Sequence, residues 1–129
     1  MFALFIVIAT TVPFRFTTDR QIVSMKIAHV SLDVFVDTWR GGWVSPTGVI
    51  LNVAFFVPFG LFGGLAQSLA TPWTPRRVLL VTLLGLLLSL GVETLQVFTR
   101  NRIPSSTDVV ANTAGALAGV LLARATRRP

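Results

Sequence analysis

Apolar residues along this chain fall in long runs, and polar residues gather where the runs end. Val78–Val97 and Val109–Ala123 flank the short polar turn Thr99–Asp108, and a third run, Val49–Leu69, precedes them. An apolar run of about twenty residues crosses a bilayer as a helix, so all three are predicted as spans. The last is short and extends through Arg124, whose long stem lets the charged head reach the interface. Pro58 interrupts Val49–Leu69, and Gly60, Gly63 and Gly64 follow it. Membrane helices tolerate proline, and small residues let helices approach closely. Met1–Phe14 is apolar but shorter than a span, and no basic residue precedes it as one would in a signal peptide. It reads as the end of a first span whose beginning is missing, with Pro13 and Phe14 at its exit.

Arg15–Gly48 is a polar connection. Lys26, His29, Asp33, Asp37 and Arg40 recur at helical spacing, with Met25, Ala28, Leu32, Phe35 or Val36, and Trp39 between them. The spacing predicts an amphipathic helix lying on the membrane surface, with Trp39 and Trp43 at head-group level. His29–Val34 also alternates as a strand would. Gly41-Gly42 and Ser45–Gly48 are turn chemistry and end the element. The fold class that results is an all-α integral membrane protein: a small antiparallel transmembrane bundle of three full spans, a short N-terminal span and an interfacial helix. One domain over residues 1–129 is expected.

Composition agrees with that class. Hydrophobic residues make up 53% of the chain and charged ones 12%, against roughly 25% charged in an average soluble domain. Mean hydropathy is +0.75. The net charge of +6 sits at the ends of apolar runs, which suits lipid head groups and not nucleic acid. The absence of cysteine and the single histidine exclude disulfides, cysteine nucleophiles and a multi-histidine metal site in this chain. No cofactor is called for. Five arginines (Arg76, Arg77, Arg124, Arg127 and Arg128) fill the Thr71–Arg77 loop and the C-terminal tail. Six basic residues are spread thinly over the other side. The positive-inside rule makes the dense side cytoplasmic, so Thr99–Asp108 faces outward and the C-terminus inward.

Glu93 is the residue that this arrangement must explain, because a carboxylate inside an apolar run is costly and therefore a functional-site hypothesis by default. Asn52 lies just inside the start of its span, Glu93 and Gln96 just inside the end of theirs, and Asn112 just inside the start of the last. Since the spans alternate in direction, these groups share one depth, within roughly 5–7 Å of the boundary at 1.5 Å per residue. Arg100, Arg102 and Asp108 sit just above. Gly85, Ser89, Glu93, Gln96 and Arg100 follow one helical stripe; Asn112, Gly115 or Ala116, and Gly119 form a second; Asn52, Phe56, Phe59 or Gly60, and Gly63 form a third. Gly60, Gly63, Gly85, Gly115 and Gly119 are thus predicted packing positions, and Gly115–Gly119 is a GxxxG element. The bundle closes on its inner side and opens into a polar pocket on its outer side. Plainer readings stand beside this one. Ser105 and Asp108 match a capping box. Arg100 and Arg102 suit lipid phosphates. Asn52, Gln96 and Asn112 suit interhelical hydrogen bonds. Glu93 suits an ion pair with Arg100 or Arg102. His29 reads as an interfacial residue.

At these residues the chain resembles the VanZ-like membrane protein family. The resemblance rests on Glu93-Thr-Leu-Gln96, Arg102, Asp108-Val-Val-Ala-Asn112-Thr-Ala-Gly115 with Gly119 beyond, the upstream Asn52-Val-Ala-Phe-Phe-Val-Pro58-Phe-Gly60, and Thr11-Val-Pro13-Phe14. It implies a small bacterial multi-pass protein of the cytoplasmic membrane, in a family named for a member that lowers susceptibility to the lipoglycopeptide teicoplanin. Asn52, Glu93, Gln96, Arg102, Asp108 and Asn112 carry over as family-pattern residues. The leading expectation is a cell-envelope protein, more readily a non-enzyme, whose outer pocket holds an amphipathic ligand: a lipid-linked cell-wall precursor or a lipoglycopeptide. Arg100 and Arg102 would meet its phosphate or carboxylate. Two alternatives remain. One is a membrane enzyme acting on a lipid head group, with Glu93 or Asp108 as general acid or base. The other is a structural subunit, in which GxxxG packs against another subunit such as a second copy of the chain.

Overall fold

The computed structural model describes residues 2–11, 15–30, 33–37, 41–68, 73–100 and 102–126. Within them the chain forms α1 (Phe2–Thr11), α2 (Arg20–Ala28), a two-residue ribbon of β1 (Val36–Asp37) and β2 (Gly42–Trp43), then α3 (Pro46–Ser68), α4 (Pro75–Val97) and α5 (Ser106–Ala125). The last three are long and apolar enough to cross a membrane. Each begins about one turn earlier than its apolar run. The added residues are prolines, arginines and small polar residues, which suit the first turn because its N–H groups have no partner inside the helix. Pro58 lies within α3 and leaves it continuous. The N-terminal apolar stretch is helical over ten residues, too few to cross a bilayer; Pro13 and Phe14 lie outside the described residues.

The three long helices alternate in direction. Late α3 meets early α4, where a Cβ on Gly63 would come 3.1 Å from Val81. Late α4 meets the start of α5 through Glu93 and Ser105. The most extensive contact is between α3 and α5, which run parallel. Gly60 lies on the backbone of Ala116, Gly115 on that of Val53, and Gly119 on that of Val57. Packing this close needs glycine, since any Cβ there would overlap backbone that cannot turn aside. The Gly115–Gly119 element is therefore used inside the chain, against α3. Gly85 of α4 faces Ala116, with 2.5 Å left for a Cβ. Around this seam Ile6, Phe56, Val92 and Ala116 form the apolar core, with Val7, Phe59 and Leu88 against it. α1 thus packs on α3 and α4 beside the spans.

The connection before α3 departs from the single helix its spacing predicts. The helix stops at Ala28, and the ribbon follows, pairing Val36 with Trp43 and Asp37 with Gly42. Leu32, Trp39 and Arg40 lie outside the described residues. Two anchors take over from helix continuation. Phe35 stands at φ 69°, an unusual conformation for a bulky residue. Its N–H donates to Thr107 Oγ1 at 2.8 Å, and its carbonyl accepts from Val44 N at 3.0 Å. The ribbon is thereby tied to the first turn of α5. Upstream, Thr17 N–H donates to Phe98 O (2.7 Å) and Arg100 N–H to Arg15 O (2.8 Å), which ties Arg15–Thr17 across the end of α4.

Lys26 shows the largest difference from a surface-helix reading. It is 3% exposed. Its ammonium donates to the carbonyls of Gln96 (3.2 Å), Thr99 and Arg102 (2.6 Å). α4 ends at Val97 without a glycine cap, and carbonyls orphaned at a helix end need donors. A cation there also opposes the negative end of the helix dipole. Burial pushes the Lys26 ammonium below its ordinary pKa, and the three carbonyls oppose that shift. α2 therefore turns Lys26 inward, as a clasp over the end of α4.

Candidate ligand-binding cavity

At the end of the bundle where α3 begins, α4 ends and α5 begins, the helices part around a cavity of about 400 Å³. The parting follows from the sequence of each face. Below this level the facing positions are Gly60, Gly85, Gly115, Ala116 and Gly119, which close the helices onto one another. At this level they become Asn52, Glu93, Gln96, Asp108 and Asn112, whose longer side chains hold the helices further apart. All five line the cavity, as do Arg102 and Asp37. Ala9 and Thr10 of α1 and Val36 and Val44 of the ribbon complete the wall. Arg100 stands apart: it is exposed and does not line the cavity.

The polar groups are held by one another across the helices. Asn52 hydrogen-bonds the Asp108 carboxylate, linking α3 to α5. Asn112 Nδ2 donates to Ser89 Oγ at 2.9 Å, linking α5 to α4. Glu93 Oε2 accepts from the Ser105 backbone N–H at 2.7 Å. Sequence reasoning offered two other arrangements, and neither is the one formed. Ser105 is the N-cap of α5, but its side chain makes no cap bond, so the capping box is not made. The carboxylate one helix away takes that place instead, because a helix N-terminus presents unpaired N–H groups and a positive dipole end to any nearby anion. Nor is an arginine the hydrogen-bond partner of Glu93. Arg102 is exposed and acts on both Glu93 and Asp108 through space.

Two acceptors at this level are left over. Glu93 is 7% exposed and Asn112 3%. Glu93 Oε1 and Asn112 Oδ1 are buried and take no hydrogen bond. Buried polar atoms are nearly always paired, so each such exception asks for an explanation. Their residues are linked through α4. Asn112 is bonded to Ser89, and Ser89 and Glu93 stand one turn apart on α4, where Cβ atoms are about 5–6 Å from each other.

Three residues in or beside this site were not marked by sequence: Asp37 lines the cavity, and Lys26 and Ser89 hold residues that do. Lys26 looked like one more exposed base; the signal for it was a helix end in apolar surroundings that lacked its own cap. Asp37 sat in a segment whose course was undetermined. Ser89 was placed on the right stripe as a small packing residue, and its hydroxyl becomes the acceptor for Asn112.

Three apolar helices of spanning length, converging on a polar cavity at one end, define a polytopic α-helical membrane protein. The family model described as VanZ/LLP1 matches residues 1–127, and the chain belongs to that family. Comparison with curated proteins and with solved structures gave no match.

Proposed function

We propose that this VanZ-like protein is a single membrane domain that binds the polar head of an amphipathic ligand in the cavity between α3, α4 and α5. The observation that carries the reading is the cavity itself: about 400 Å³, walled by polar side chains from all three spans, at an end where such groups are expensive to keep unless they are used. Ligand pockets of helical bundles lie between helices, and this volume suits a head group. The arginine distribution supports an outward-facing cavity and a cytoplasmic C-terminus. Family membership supports a bacterial cytoplasmic membrane and a ligand of the cell envelope, such as a lipid-linked wall precursor or a lipoglycopeptide of the teicoplanin type. Arg102 at the rim would meet the ligand's phosphate or carboxylate.

A second reading has its own observation. The 2.7 Å bond from Ser105 N–H to Glu93 ties α4 to α5, so Glu93 also serves as a structural lock. Glu93→Gln and Arg102→Gln, expressed in a host lacking the native copy, separate the two when membrane abundance and lipoglycopeptide susceptibility are recorded together. Binding predicts normal abundance with altered susceptibility in both variants. A lock predicts that abundance of Glu93→Gln collapses while Arg102→Gln behaves as wild type. Unchanged abundance and unchanged susceptibility in both would end the binding proposal.

A further inference from the structure

Resting on that reading of the cavity, we infer that its deep end takes a primary ammonium group, carried beside an anionic group that reaches Arg102. The ligand class is a zwitterion of the aminoethyl-phosphate or amino-acid type, not a simple anion. The carrying observation is the pair of leftover atoms. Glu93 Oε1 and Asn112 Oδ1 are both acceptors, both buried and both without a partner, on side chains that line the cavity. An amide carbonyl accepts hydrogen bonds and cannot donate them, and a carboxylate that a bound cation holds ionised does the same. What completes them must bring N–H or O–H groups.

The charge around them selects among donors. Three acidic side chains, Asp37, Glu93 and Asp108, line the cavity against a single arginine, Arg102. An anion beside Glu93 would add to the cost of burying that carboxyl group, whereas a cation there offsets it. A primary ammonium brings three N–H donors on one compact charge. That allows one group to serve acceptors on both α4 and α5, Glu93 Oε1 and Asn112 Oδ1. A trimethylated ammonium has the charge but no N–H, and a hydroxyl has one donor and no charge. Arg102 is exposed and also lines the cavity. Arg102 is thus exposed while Glu93 is buried, an order that a zwitterion entering ammonium-first would match.

The test uses the purified full chain in a neutral maltoside detergent with water-soluble, short-chain lipids as probes. Binding of dihexanoyl phosphatidylethanolamine, phosphatidylcholine and phosphatidylglycerol is measured by titration calorimetry. The expected order places phosphatidylethanolamine about tenfold or more ahead of the other two, the factor for a lost charge-assisted hydrogen bond. In Glu93→Gln that lead should vanish, leaving the ethanolamine and choline lipids with equal affinities. Free phosphoethanolamine distinguishes the sources. Equal affinity for it supports a water-soluble amine, and a requirement for the acyl chains supports a membrane lipid. Equal binding of the ethanolamine and choline lipids by the wild type overturns the ammonium and leaves the head-group cavity standing. So does a preference for phosphatidylglycerol. No saturable binding of any probe overturns both. The wild-type ranking decides the question even if Glu93→Gln does not fold.

Discussion

Gly119→Ala tests whether the seam between α3 and α5 is set by backbone contact. A Cβ at this position would overlap the Val57 carbonyl oxygen and lie 2.6 Å from Leu61 N and 3.0 Å from Gly60 C. Ordinary van der Waals contact begins at 3.4 Å, so Leu61 N alone demands a retreat of about 0.8 Å. None of these atoms belongs to a side chain that can rotate away, so the helices themselves must part. A gap of that size forfeits a quarter to a half of each atom pair's attraction of about 0.1–0.2 kcal/mol. Over about forty such pairs this comes to roughly 1–4 kcal/mol. The alanine returns up to about 1 kcal/mol in helix propensity. Parting the helices also strains the Asn52–Asp108 link, for a further loss of about 1 kcal/mol. The last two contributions nearly cancel, and the expected net loss is about 1–4 kcal/mol, spanning the usual range for overpacking. Gly91→Ala is the control, because a Cβ there meets nothing within 4 Å; that variant should be neutral or up to about 1 kcal/mol more stable. Equilibrium unfolding by sodium dodecyl sulfate in mixed micelles, followed by circular dichroism, reads both. If Gly119→Ala stays within about 0.5 kcal/mol of wild type, or Gly91→Ala loses as much as Gly119→Ala, the close α3–α5 contact is not what holds the bundle.

Two further outcomes follow from the polar end. Lys26→Met removes the donor shared by the carbonyls of Gln96, Thr99 and Arg102 and should cost about 1–3 kcal/mol, with faster proteolysis around residues 98–104; unchanged unfolding and cleavage would mean those carbonyls find other donors. Ser89→Ala leaves the Asn112 amide buried with its donor unpaired and should cost about 1–3 kcal/mol. Adding Asn112→Leu should recover most of that loss, because removing both polar partners is close to neutral; purely additive losses would show that the two side chains do not act as a pair.

Much of the spanning architecture was legible because one requirement dominates in hydrocarbon: backbone polar groups must be satisfied within the segment, so a long apolar run becomes a helix. Runs, helical periodicity and alternating direction were enough to place Asn52, Glu93, Gln96 and Asn112 at one depth and the glycines on facing stripes. The polar connection obeys no such rule. Water satisfies backbone groups there, so periodicity alone could not separate a helix through Trp39 from a helix that stops at Ala28 and gives way to a ribbon. The anchors that matter, Thr107 for Phe35 and Phe98 for Thr17, come from residues more than seventy positions away.

The sequence by itself therefore determined the class, the three helices of spanning length and the level at which polar side chains gather. Each of these follows from local composition and from the period of a helix. Only the tertiary structure decided how those side chains are partnered. Glu93 meets a backbone N–H at the start of α5 instead of an arginine, Lys26 closes over the end of α4, and Glu93 Oε1 and Asn112 Oδ1 are buried without a partner. Hydrogen bonds depend on angles and on distances of a few tenths of an ångström. Those are fixed by how closely the glycine seams let the helices approach, and no single segment carries that information.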